Sequence, residues 1–187
     1  MPLTSPRLAA VVLAALAGCA TPGASDGGVP SLKLSPAALG RPLDLQQHIT
    51  LRAAGHEQQM DVLLEADPAR VKLAIVAMGQ VAARIEWDGR TLTEWRSTWL
   101  PGSVSSARIL NDMQLSLWPL AAVQAALPAG WQASEDHDNG GTRTLANDGA
   151  AVLVVRHPSA DVIEIDQRRD HYQLTIVSQP ATVGAAP

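Results

Sequence analysis

From residue 45 to residue 178 the chain is cut by turn signals into nine or ten short runs, most of which alternate apolar and polar residues. A period of two buries one side of each run and wets the other, as antiparallel strands with one covered face require. In residues 45–53, Leu45, Gln47, Ile49, Leu51 and Ala53 share one face, and Gln46, His48, Thr50 and Arg52 share the other. Residues 58–66 repeat this with Met60, Val62 and Leu64 inward; Leu63 departs from it. Residues 71–78 are almost wholly apolar, which predicts a strand covered on both faces. Residues 81–87 place Val81, Ala83, Ile85 and Trp87 inward. Asp88-Gly89 then predicts a tight hairpin, because Gly accepts a positive φ. Residues 91–99 return, with Trp95 and Trp99 expected on one face.

From Ser105 the period changes. Ile109, Met113 and Leu117 are four apart, and Leu110 and Met113 are three apart, which predicts a helix. Trp118-Pro119 stops it, since Pro lacks a donor and disfavours helix in the residue before it. Leu120, Val123 and Leu127 form the stripe of a second helix that Pro128-Ala129-Gly130 closes. Two short amphipathic helices need a surface to pack on. Strands resume at residues 131–137, 142–146, 151–157, 161–167 and 171–178, with a turn expected at His157-Pro158-Ser159. Tyr172, Leu174 and Ile176 face inward on the last. The expected fold is mainly β (α+β): a strongly curved antiparallel sheet or incomplete β-barrel, with the mid-chain helical pair as a lid. A sandwich is the alternative, but it gives no reason for helices in mid-chain.

Residues 1–18 carry Arg7 and an apolar core from Leu8 to Ala17, as a secretory signal peptide does. The core is shorter than the roughly 20 residues that span a bilayer. The stretch Leu16-Ala17-Gly18-Cys19 resembles a bacterial lipobox. That resemblance implies cleavage after Gly18 and acylation of Cys19, the chain's only cysteine, with palmitate-type chains. A plain secretory signal is the other reading. Two or more acyl chains, at about 0.8 kcal/mol per buried methylene, hold a protein on a membrane surface. Ala20 in place of an Asp resembles outer-membrane sorting, facing the periplasm, with the inner membrane as the alternative. Residues 19–34 are read as the lipidated Cys and a flexible tether, 35–180 as one domain, and 181–187 as a disordered tail. A net charge of −4 and the lack of a basic run argue against nucleic acid.

Phe is absent, whereas Trp occurs five times and Tyr once. Trp87, Trp95, Trp99, Trp118 and Tyr172 are candidate cavity-lining residues; ordinary core packing explains them equally. Asn111, Asp112 and Gln114 interrupt an otherwise apolar helix. They either orient a ligand headgroup or form caps and a fixed buried network. Glu135-Asp136-His137-Asp138 holds a single His beside Asn139-Gly140-Gly141 and reads as a solvated hairpin end, not a metal site. No Gly-x-Ser-x-Gly elbow and no phosphate loop occur, and no catalytic residue or cofactor is assigned.

The strand–helix–strand order behind a lipobox is similar to the outer-membrane lipoprotein carrier and receptor of the Lol system, half-barrels that hold acyl chains under a helical lid. Closer in sequence, residues 109–119 (ILNDMQLSLWP), Glu86-Trp87-Asp88-Gly89 and His171-Tyr172-Gln173-Leu174 resemble an uncharacterised bacterial lipoprotein family. That family is a domain of unknown function often encoded beside aryl-polyene biosynthesis genes. The resemblance covers most of residues 35–180 and implies no catalytic residues. The strand–helix–strand plan with its concentrated Trp leads to the expected function: a non-catalytic, membrane-anchored lipoprotein that binds or helps to place an acyl-bearing molecule, either a lipoprotein or a lipid-linked product such as an aryl-polyene. An interaction scaffold with a filled core is the alternative, and an envelope hydrolase using scattered acidic and His residues is a third.

Overall fold

The computed structural model describes residues 28–100, 105–138 and 141–181. The leader with Cys19, the expected turn positions Pro101, Gly102, Asn139 and Gly140, and the tail from Thr182 lie outside the described residues. Five strands come first: β1 (Leu43–Ala53), β2 (His56–Ala66), β3 (Val71–Ala77), β4 (Gln80–Trp87) and β5 (Leu92–Arg96). Helices α1 (Ser106–Leu117) and α2 (Leu120–Ala126) follow. Five more strands complete the fold: β6 (Trp131–Asp136), β7 (Thr142–Asn147), β8 (Ala150–Ser159), β9 (Val162–Gln167) and β10 (Tyr172–Pro180).

All ten strands form one antiparallel sheet in the order β5-β4-β3-β2-β1-β10-β9-β8-β7-β6. It is two meanders joined by pairing the first strand to the last, with Leu45 opposite Pro180 and Ala53 opposite Tyr172. The sheet is open and curled: β5 and β6 remain its two edges and it does not close into a barrel. Those edge strands flank the helical pair in sequence, so the helices carry the chain from one edge to the other. The core lies between the inner face of the sheet and α1. It holds Leu64, Leu73, Ile85 and Trp87 from one meander, Leu145, Val155 and Ile165 from the other, and Leu110 and Leu115 from α1.

Local chemistry sets the connections. Three hairpins turn on two residues that both have positive φ: Ala54-Gly55, Met78-Gly79 and Asp148-Gly149. Such turns match the right-handed twist of paired strands. At the fourth, Gly89 has φ 91° and a Cβ there would stand 3.2 Å from the Pro36 ring, so glycine is needed for both conformation and space. Helix α1 begins at Ser105, whose hydroxyl accepts from the Arg108 N–H at 3.4 Å. It ends where Trp118, preceding Pro119, turns extended at ψ 150°.

Four expectations are corrected. First, β3 is covered on one face only: Val71, Leu73 and Ile75 are buried, Lys72 is exposed, and Ala74 and Val76 are half-buried. Small and β-branched residues suit a pleated surface without needing a second layer. Second, Trp95 and Trp99 do not share a strand face. The strand β5 ends at Arg96, and Trp95 lies opposite Arg84 on the outer side, 51% exposed under the Arg84 guanidinium. Third, β8 runs through Pro158. The register shifts between Arg156 and Ser159, and a bulge tolerates a residue with no N–H to donate.

The fourth concerns the tether. Its expected span includes residues 29–34, but Leu32 and Leu34 are buried in the core while Ser31, Lys33 and Ser35 point outward. This extended strap runs into a 3-10 turn, Pro36–Leu39, before β1.

Candidate functional site

A cavity of about 350 Å³ opens between the central strands and α1. Its volume falls at the lower end of the roughly 300–1,000 Å³ of small-molecule sites. The apolar wall comes from inward residues of five strands, among them Ile49, Val62, Ile75, Ile165 and Ile176, and from Ile109, Met113 and Leu117 of α1. The spacing of four along α1 puts the last three on the side facing β1 and β10. Exposed Ser105, His56, Gln58 and Arg108 mark the mouth.

The polar residues of α1 divide by face. Asn111 Oδ1 accepts from the Leu32 N–H at 2.8 Å. Gln114 Oε1 accepts from the Leu34 N–H at 3.4 Å, and its Nε2 donates to the Leu34 carbonyl at 3.3 Å. These two side chains pair the strap's backbone as a neighbouring strand would. Asp112 points the other way and lines the cavity. There its Oδ2 accepts from the Tyr172 hydroxyl at 2.5 Å. Burial raises the Asp112 carboxyl to about 6, against the lowering effects of the Tyr172 bond and the Arg108 charge. Burial, and then the adjacent Asp112 carboxylate, push the Tyr172 phenol well above its ordinary value.

Of the expected lining residues, the structure brings only Tyr172 to the cavity; none of the four tryptophans lines it. Trp87 and Trp118 are core residues that fasten the strap. The Trp87 indole N–H donates to the Leu34 carbonyl at 2.7 Å, and that of Trp118 to the Ser35 carbonyl at 3.0 Å. A buried indole needs an acceptor, and a strap with no ladder partner supplies one. Trp95 and Trp99 are partly exposed at the β5 end of the sheet. Replacing Trp87 with Phe leaves the Leu34 carbonyl one donor short. The expected cost is about 1–2 kcal/mol in urea unfolding, with faster amide exchange at Leu32 and Leu34.

Arg143 is a buried residue outside the expected site set. It projects inward from β7 beneath the end of α1. Its Nη1 donates to the Leu115 and Trp118 carbonyls at 2.7 and 2.8 Å, and its Nη2 to Glu135 at 3.1 Å. Glu135, from the acidic and His cluster at the β6 end, is therefore engaged by Arg143. Among the described residues no three His, Cys, Asp or Glu side chains converge to hold a metal ion.

The sequence profile of a family described as "Protein of unknown function (DUF3261)" matches residues 44–180. The chain belongs to DUF3261. No curated protein matches it. The DUF3261 stretch spans the sheet from β1 to the last residue of β10 with both helices, so it contains every residue of the cavity wall. The strap precedes it. Among the described residues of this DUF3261 chain no helix is long and apolar enough to cross a membrane.

Proposed function

We propose that this DUF3261 protein is a lipid-anchored, periplasm-facing envelope protein. It binds or helps to place an acyl-bearing molecule at the outer membrane without catalysing a reaction. The observation that carries the reading is the apolar cavity between the central strands and α1. A chain of methylenes gains about 0.8 kcal/mol per buried group in such a site, and a few polar groups suffice to orient its head. The lipobox-like Leu16-Ala17-Gly18-Cys19 would fix the domain at a membrane surface, where acyl-bearing molecules are found. A lipoprotein or a lipid-linked product such as an aryl-polyene fits the same chemistry.

Native mass spectrometry tests this on the full chain carrying Cys19→Ser, so that no attached acyl chain competes. Co-purified adducts of acyl mass, or uptake of an added long-chain methyl ester, are expected. A clean unliganded mass with no ester uptake would count against the reading. Trp95, 51% exposed beside the β5 edge, favours a second one, an interaction scaffold in the envelope. Crosslinking that recovers one stable protein partner, together with an empty cavity, would select it.

A further inference from the structure

The polar groups of the cavity narrow the class of acyl molecule it accepts, an inference that rests on the acyl-binding reading. Asp112 is 5% exposed, and its carboxyl faces the cavity. Tyr172 bonds Oδ2, and among the described residues no protein donor reaches Oδ1. That distinguishes Asp112 from Asn111 and Gln114, which are taken up by the strap. Oδ1 is not sealed in the core but opens on the cavity, so an entering hydroxyl or amide N–H can donate to it in place of water.

The other charged or titratable side chains lining the cavity are Arg108 and Asp170, with His56 at the exposed mouth. Arg108 is placed between the Asp170 carboxylate, 3.5 Å away, and the face of the Tyr172 ring, 5.7 Å from its centroid. A ligand carboxylate would thus meet Asp112 and Asp170, while the lining guanidinium is already shared. Two carboxylates in one poorly solvated site disfavour each other's charge. We infer that the cavity selects uncharged acyl molecules bearing a hydroxyl or amide donor, such as a monoacylglycerol, over free fatty acids, with Asp112 Oδ1 accepting the ligand's donor.

Isothermal titration of the full chain carrying Cys19→Ser provides the test. The probes are a monoacylglycerol, the free fatty acid of the same chain, and its methyl ester, which has neither charge nor donor. Near neutral pH the monoacylglycerol should bind tightest, the ester less tightly, and the fatty acid at least about tenfold more weakly than the monoacylglycerol. Asp112→Asn keeps an acceptor and removes the charge. It should bring the fatty acid to within about threefold of the monoacylglycerol. Equal affinities for these two in the chain that retains Asp112 overturn the selection, whether or not the variant folds. A folded Asp112→Asn chain that still discriminates as strongly overturns the role given to Asp112. If no probe binds, the ester included, the acyl-binding reading itself fails.

Discussion

Arg143→Met should unfold at a temperature about 10 °C or more below the unsubstituted chain, a loss of roughly 3–5 kcal/mol at the few degrees per kcal/mol expected for a domain of this size. The last carbonyls of any helix lack intrahelical donors, and the negative end of its dipole gathers there. Helix α1 has no basic residue in its last turn. Its end is served from across the core by one guanidinium, which takes the Leu115 and Trp118 carbonyls together. A methionine fills much of the same volume but strands both acceptors and leaves Glu135 facing apolar surroundings. The ion pair by itself does not predict this size of effect. Glu135→Gln keeps both carbonyl bonds and should cost only about 1 kcal/mol. Parallel thermal or urea unfolding of the two variants separates the roles. Equal losses would assign the stability to the ion pair and not to the helix end.

Arg143 also marks where sequence patterning stops being informative. The inward alternation of β7 places Arg143 on the same side as Leu145, and an arginine at an inward position signals a buried acceptor. Which acceptor it meets depends on how α1 crosses the sheet, and no local period encodes that. The same limit applies to β1 and β10. Each is legible as a strand with its correct inward face, yet their pairing joins opposite ends of the domain. The strap is open to a better reading. Ser31-Leu32-Lys33-Leu34-Ser35 alternates as clearly as any strand, but it continues a Gly- and Ser-rich run that reads as linker. Without the strap, core packing and cavity lining explain Trp87 and Trp118 equally, because the strap carbonyls are the acceptors that decide for the core. The polar trio on α1 is legible as unusual. Its division between the strap and the cavity follows from a turn of about 100° per residue, once the two surfaces flanking α1 are known.

The second large effect concerns pH. The Asp112 carboxyl sits at about 6 in the folded chain, above its ordinary 3.8. Below the lower value both folded and unfolded chains hold the proton, and the group contributes nothing to the pH dependence. Between the two values the folded chain retains a proton that the unfolded chain has released, so stability falls as pH rises. Above about 6 the loss is complete, on the order of 3 kcal/mol. Asp67, Asp88 and Asp161 act in the opposite sense. Backbone N–H groups lower the first two and the Ser159 hydroxyl lowers the third, so their contributions are lost as pH falls below the ordinary carboxylate value. The stability of the chain should therefore peak in mildly acid solution and decline towards neutrality. Asp112→Asn keeps an acceptor for the Tyr172 hydroxyl and cannot ionise. Urea unfolding at about pH 4 and pH 7.5 should find the variant and the unsubstituted chain close at the lower value. At the higher value the variant should be more stable by up to about 3 kcal/mol. Every other titrating group is common to both chains and cancels in the difference. A difference that does not change with pH would mean that the folded chain leaves the Asp112 carboxyl as acidic as the unfolded chain does, with water or another donor at Oδ1 sustaining its charge.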